Sequence, residues 1–276
     1  MSKKQLIVDT SIELFAQNGI EATSVQHITE ACGISKGAFY LHFKSKDELL
    51  LSIFDYFMKF ILGKIDDFVN SSTAPKEKLH AFFLFNLSIF EEHASFAKVF
   101  IQEHMHSINQ ELFEKLKGYD NRLNHSLLQL LDQVYGDSIQ ETRYDLLVLM
   151  KGFLRAYSEL ILLQPMPHDF EKLSAMLVEK TDILAAHSKK AYVTEALLES
   201  ESQLEVVTIS AETVIEEIED VQLHVTDPLE LESLEILKEE LVKEQPRKAV
   251  VTGLTHNISK QDRTEWLRYL LRQLRF

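Results

Sequence analysis

The chain has 276 residues, enough for one large domain or two to three small ones, and its 45% apolar content excludes global disorder. A single cysteine, Cys32, excludes an intrachain disulfide framework and any metal site built on several cysteines. The net charge of −14 is unevenly spread: residues 195–245 hold sixteen acids and two lysines, and the remainder is neutral, so a small basic face elsewhere stays open. Asp9 and Glu13 break the N-terminal apolar run, and no run approaches the roughly 18 residues of a membrane span. The chain therefore reads as soluble and cytoplasmic, with no membrane insertion.

From the N-terminus, Ile7, Ser11, Leu14 and Phe15 share one helical face, and Gly19 is placed to end that helix. Thr23 or Ser24 caps a second helix, whose Val25, Ile28 and Ala31 are expected to face inward. Gly33 ends it, Ile34 plugs the turn, and Ser35 caps a third helix. Three short helices with a tight glycine turn make a helix-turn-helix unit. The tip of such a third helix must be slim to enter a major groove, and Gly37 and Ala38 are slim. Lys36 supplies a donor for phosphate or guanine. Tyr40, His42 and Lys46 have the side-chain types that hold phosphates. Ser45 and Glu48 have capping-box spacing, so the next helix directs its positive dipole end the same way. Phe39 and Phe43 read as core, Lys44 as solvated and Cys32 as a small buried residue.

Longer helices are expected at about 46–70, 76–93, 95–106, 109–135, 138–164 and 168–188, broken at "SSTAP" and "QPMPHD". Phe82, Phe83, Phe85, Phe90, Phe96 and Phe100 form a dense aromatic group that either packs as core or lines an apolar pocket. His104 and His106 stand at i, i+2, the wrong step for a ligand pair on one helical face, and no metal site is expected. Residues 143–163 are apolar nearly all round, with Gly152 allowing close helix approach. Beyond residue 189 the β-branched runs 204–210, 221–226 and 248–256 are possible strands. Pro228 and Pro246 bracket an acidic helix. A basic amphipathic helix ends the chain, with Ser259 as its candidate N-cap, packed on the protein's own body or docked on a membrane or partner.

Taken as a set, "TSVQHITEACGISKGAFYLHFKSKDELL" resembles the DNA-binding domain of TetR-type (TetR/AcrR) transcriptional regulators. Gly33, Ile34, Ser35, Gly37, Tyr40, Phe43, Lys46, Glu48 and Leu49 carry the resemblance, with Ala31 displaced by one, across residues 5–50. It implies that Ser24 and Gln26 approach double-stranded DNA from the second helix. Ser35, Lys36, Gly37 and Ala38 meet base edges or adjoining phosphates, and Tyr40, His42 and Lys46 clamp the backbone. One departure is charge: residues 1–50 carry five bases and six acids, so affinity is expected to be modest and salt-sensitive.

The resemblance further implies a mainly α fold. A helix-turn-helix domain (1–48) is followed by a helical effector-binding and dimerisation domain (49–188). Helices 143–163 and 168–188 form the homodimer, and Phe82, Phe83, Phe90, Phe96, Phe100, Phe153 and Tyr157 are candidates for a pocket holding a small hydrophobic effector. Residues 189–276 exceed the family pattern, as an α/β or helical appendage of unassigned role. The expected function is a ligand-responsive repressor that binds a palindromic operator as a dimer. The alternative is an effector-free architectural DNA-binding protein that recruits a partner through its C-terminal extension. The sequence holds no glycine-rich phosphate loop, nucleophile elbow or zinc pattern, so neither enzymatic activity nor a cofactor is expected.

Overall fold

A computed structural model of the chain describes residues 3–92, 110–163, 168–199, 209–243, 245–259 and 264–274. Those residues form thirteen α-helices and a short 3₁₀ turn, with no strand among them. They divide into two compact units, Met1–Tyr56 with Thr73–Leu198, and Phe57–Ser72 with Glu199–Phe276.

The first unit begins with α1 (Lys3–Asn18), which buries Ile7, Val8, Ser11 and Phe15. Gly19 follows at φ 84°, a left-handed backbone that favours glycine, and its N–H bonds to the Phe15 carbonyl at 2.8 Å. Thr23 is fully buried and bonds back to the Gly19 carbonyl at 2.8 Å, which leaves Ser24 to cap α2 (Val25–Cys32). Gly33 at φ 64° reverses the chain, and Ser35 caps α3 (Lys36–Tyr40). The second and third helices close on Ile28, Phe39 and Phe43, all but absent from the surface. Ala31, expected inward, is exposed: the inward face of α2 runs through Ile28, Thr29 and Cys32, and Ala31 lies beyond its edge.

Next, α4 (Lys46–Asn70) starts in this unit, with Ser45 accepting from the Glu48 N–H at 3.0 Å and Glu48 accepting from the Lys44 N–H at 2.6 Å. The unit continues through α5 (Pro75–Glu92), α6 (Gln110–Tyr135), the 3₁₀ turn Gly136–Ile139, α7 (Arg143–Leu163), α8 (Phe170–His187) and the short α9 (Glu195–Glu199). The expected helix at 138–164 thus begins at 143, after a turn set by Gly136 at φ 56°. The one expected at 95–106 lies outside the described residues. Helix α5 packs on α6, α7 and α8. Tyr119 on α6 donates to Asp55 on α4, and Tyr135 donates to Asp182 on α8 at 2.8 Å. Burial, aided by the Asp182 carboxylate, holds the Tyr135 phenol protonated well above the ordinary tyrosine range.

The second unit combines the rest of α4 with α10 (Ala211–Gln222), α11 (Pro228–Leu241), α12 (Lys248–Thr255) and α13 (Glu265–Gln273). It corrects the strand expectation. The run 248–256 is α12, which buries Val251, and 221–226 is the last turn of α10 followed by a bend. The part 204–208 of the third run lies outside the described residues. β-Branched residues tolerate a helix wherever one face of it is buried, so their local preference is overridden by packing. Ser259 is not the cap of α13: its N–H and hydroxyl bond to the buried Glu230 carboxylate at 2.9 and 2.8 Å. The acidic helix is α11, capped by Asp227 with Pro228 in its first turn. Its Glu240 receives Arg247 and Lys243, and these bonds hold the carboxyl well below the usual carboxylate range. The terminal basic helix packs inward: every residue from Glu265 to Leu271 is buried.

Candidate nucleic-acid interface

The tip of the first unit is built by two caps and two aromatic anchors. Ser24 accepts from the His27 N–H at 3.2 Å, and Ser35 accepts from the Ala38 N–H at 3.1 Å, so α2 and α3 each start at a fixed residue. Phe39 and Phe43 point inward with ring centroids 5.9 Å apart. Helical geometry then turns the intervening residues outward. Tyr40 is 53% exposed, and its ring meets Phe39 edge to face, which fixes the ring while leaving the hydroxyl in solvent.

Ser35, Lys36 and Gly37 are exposed and Ala38 is half-buried. A Cβ built on Gly37 would meet nothing closer than the Ser35 hydroxyl at 3.8 Å. Glycine here is therefore not required by the protein's own packing. It keeps the start of α3 thin on its outer side, which is what close approach to a base edge or phosphate needs.

On α2, Gln26 links the two helices. Its amide donates to Glu30 at 2.9 Å, and its carbonyl accepts from the Lys36 ammonium at 3.2 Å. Lys36 and Gln26 are thereby brought together. Lys46 is placed differently from a free clamp. Its ammonium bonds to the Ile20 carbonyl at 2.8 Å, tying the start of α4 to the α1–α2 turn, and its other two protons stay available. His42 is half-buried beside it in sequence order, after Leu41 at the C-terminal cap of α3.

Two residues of this surface escape a motif-based reading. Leu41 is 84% exposed, the most exposed large apolar side chain described. Its position was legible: Phe39 and Phe43 both face inward, and Leu41 lies between them. Glu30 anchors Gln26 through an i, i+4 step that is also visible in the sequence.

The pocket candidates do not converge in the same way. Phe82 and Phe83 are fully buried in the α5 packing, with rings 5.4 Å apart. Phe153 and Tyr157 are half-buried on α7. Phe96, Phe100 and the side chain of Phe90 lie outside the described residues. Helix α7 also carries an exposed face with Leu149 and Leu160 at 41% and 49% and Gly152 between them. A Cβ on Gly152 would meet nothing within 4 Å. No helix among the described residues is long and apolar enough to cross a membrane.

Three short helices with a slim, exposed third-helix tip define a helix-turn-helix DNA-binding protein. The family described as bacterial regulatory proteins, tetR family, matches residues 7–53. Over 264 residues the chain is 30% identical to the uncharacterized HTH-type transcriptional regulator YerO of Bacillus subtilis, covering 93% of this chain and 90% of that protein. It is 28% identical to the regulator YuxN of the same organism over 291 residues, 98% of each chain. The solved structure of B. subtilis FadR in complex with stearoyl-CoA aligns at a TM-score of 0.52 and 22% identity, covering 67% of this chain and 99% of that one. That of the ketosteroid regulator KstR2 of Mycobacterium tuberculosis aligns at 0.54 and 21% identity, covering 65% and 94%. The chain belongs to the TetR family of bacterial transcriptional regulators.

Proposed function

We propose that the protein is a ligand-responsive repressor that binds a palindromic operator as a homodimer. The observation that carries this reading is the third-helix tip. Lys36, Gly37 and Tyr40 face solvent together while Phe39 and Phe43 anchor the helix beneath them. Lys36, Gly37 and Ala38 meet base edges or the adjoining phosphates, with Ser24, Gln26 and Ser35 beside them. Tyr40 and His42 hold the flanking backbone, and Lys46 does so with the protons its bond to Ile20 leaves free.

Dimerisation falls to α7 and α8. Leu149, Gly152, Ala156 and Leu160 recur on one exposed face of α7, and Ile183 is 46% exposed on α8. An apolar face of this kind is stable when a second copy covers it, and Gly152 lets the two backbones approach.

The effector is read as a hydrophobic chain-like molecule of the acyl type. Support comes from relatives: over 141 residues this chain is 28% identical to the fatty acid metabolism regulator protein of B. subtilis, covering 69% of it. The FadR structure carries stearoyl-CoA. Binding in the helical region shifts the population toward a form whose two reading heads are wrongly spaced for the operator. The test is fluorescence anisotropy on a labelled fragment of the gene's own promoter, titrated with acyl-CoAs of graded chain length. Release of the DNA by long chains and not by free coenzyme A is the expected result. Binding unaffected by every chain length contradicts the effector reading.

A further inference from the structure

Helix α4 is shared. Its first half lies in the unit that carries the DNA-reading tip, and its second half lies in the unit formed with Glu199–Phe276. From Lys46 to Asp66 the helix rises about 30 Å. None of the residues Phe57–Val69 is fully exposed, although Lys59, Lys64, Asp66 and Asp67 lie among them, so the charges of the distal half of α4 are at least partly covered.

The element that meets those charges is α13. Gly63 receives the α13 backbone so closely that a Cβ there would stand 2.7 Å from Glu265 Cβ and 2.9 Å from its carbonyl carbon. Here glycine is dictated by helix approach. Around that point the charges pair. Lys64 meets Glu265 at 2.5 Å, and Arg268 meets Asp67 at 2.7 Å. Arg272 bridges Asp66 and Asp67, 2.8 Å from the latter. Asp66, Glu265 and Arg268 are almost fully withdrawn from solvent. Buried pairs of this kind add little net stability over apolar packing, but they act strongly against a partner left alone.

We propose that α13 is a latch on the distal half of α4, and that through it residues 199–276 regulate operator binding as an input separate from the effector. Engagement fixes the register and tilt of α4. Separation frees the helix whose first turn, tied to Ile20 by Lys46, positions the reading tip. This rests on the DNA-binding reading given above, and it gives the C-terminal unit a function that the effector region does not supply.

The test uses the full chain in three forms: parent, Arg268→Ala/Arg272→Ala, and the charge-conserving Arg268→Lys/Arg272→Lys. Two quantities are measured, operator affinity and amide hydrogen exchange across residues 46–56. The double alanine variant is expected to change operator affinity at least tenfold and to speed exchange at 46–56, although no DNA-facing residue is altered. The lysine pair, which keeps both positive charges opposite Asp66 and Asp67, is expected to recover at least half of that change on a logarithmic scale. Gly63→Ala supplies a third, sterically driven separation if the alanine variant fails to fold. Unchanged affinity and unchanged exchange at 46–56 in a variant whose own α13 exchanges freely overturn the proposal. If the parent itself binds no operator, the DNA-binding reading fails, and exchange at 46–56 alone then decides whether the latch governs α4.

Discussion

The reading head and the C-terminal unit use charge in opposite ways. In the head the core is apolar, built on Ile7, Phe15, Ile28, Phe39 and Phe43, and Lys36 stands at the surface with its ammonium against a neutral amide. In the C-terminal unit Asp66, Glu230, Glu240, Glu265 and Arg268 are buried, and their partners are protein groups: Arg272, Ser259, Arg247, Lys64 and Asp67. A head whose charges are not consumed internally keeps them for an external polyanion. A unit that consumes its charges internally gains specificity of packing and is sensitive to loss of any one partner. The −14 net charge is therefore no obstacle to DNA binding, because the acidic excess belongs to a different part of the chain from the tip.

The separate construction of the head is most sensitive to change at Phe39. Phe39→Ala removes a fully buried ring from a small three-helix core and is expected to cost about 3–5 kcal/mol. Calorimetry should show the head's contribution to unfolding lost while α10–α13 keep theirs. A common loss of both would mean that the two regions are not separately built.

Next in size is a pH effect confined to the C-terminal unit. Burial raises the Asp66 carboxyl from 3.8 to about 6, against the pull of Arg272. Between those two values the folded form holds a proton that the unfolded form has released. Stability from this group is thus full below about pH 4 and is lost as pH rises through 6. The change is on the order of 3 kcal/mol. Denaturant melts of the parent should show it, and Asp66→Asn should flatten the slope. A slope that survives in Asp66→Asn would assign the effect elsewhere.

Smaller effects are expected at the surface. Replacing Leu160 with Glu places a charge on the exposed face of α7 and should shift sedimentation toward the monomer. Tyr40→Ala should weaken binding to every sequence about tenfold and leave the melting curve in place, as expected for one lost phosphate contact. Lys36→Ala should instead change which sequence is preferred.

How far the sequence could be read follows the same division. The head was legible because its signals are local. A capping serine, a glycine at a turn and two phenylalanines four residues apart each act within one helical turn. Two details of it were not legible. Lys46 bonds to a carbonyl twenty-six residues away, and Thr29 rather than Ala31 shares the inward face with Ile28. In the C-terminal unit the acidic helix between Pro228 and Pro246 was visible, and packing of the last helix on the protein's own body was one of its alternatives, but α12 reads as a strand. Its valines and threonines have strand preference, and only burial of Val251 against its neighbours makes the helix. The arginines of α13 gave a basic amphipathic pattern, and nothing near them in the chain announced Asp66 and Asp67, about two hundred residues earlier. Gly63 likewise looks like an isolated helical glycine until Glu265 is placed against it.

Whether the third-helix tip reads DNA is decided by footprinting the promoter of the protein's own gene with the parent and with Tyr40→Ala side by side. A protected site with twofold symmetry is expected in the parent, needing about tenfold more protein in the variant. Protection that is the same in both would contradict the clamp, and no protected site at any concentration would contradict the repressor.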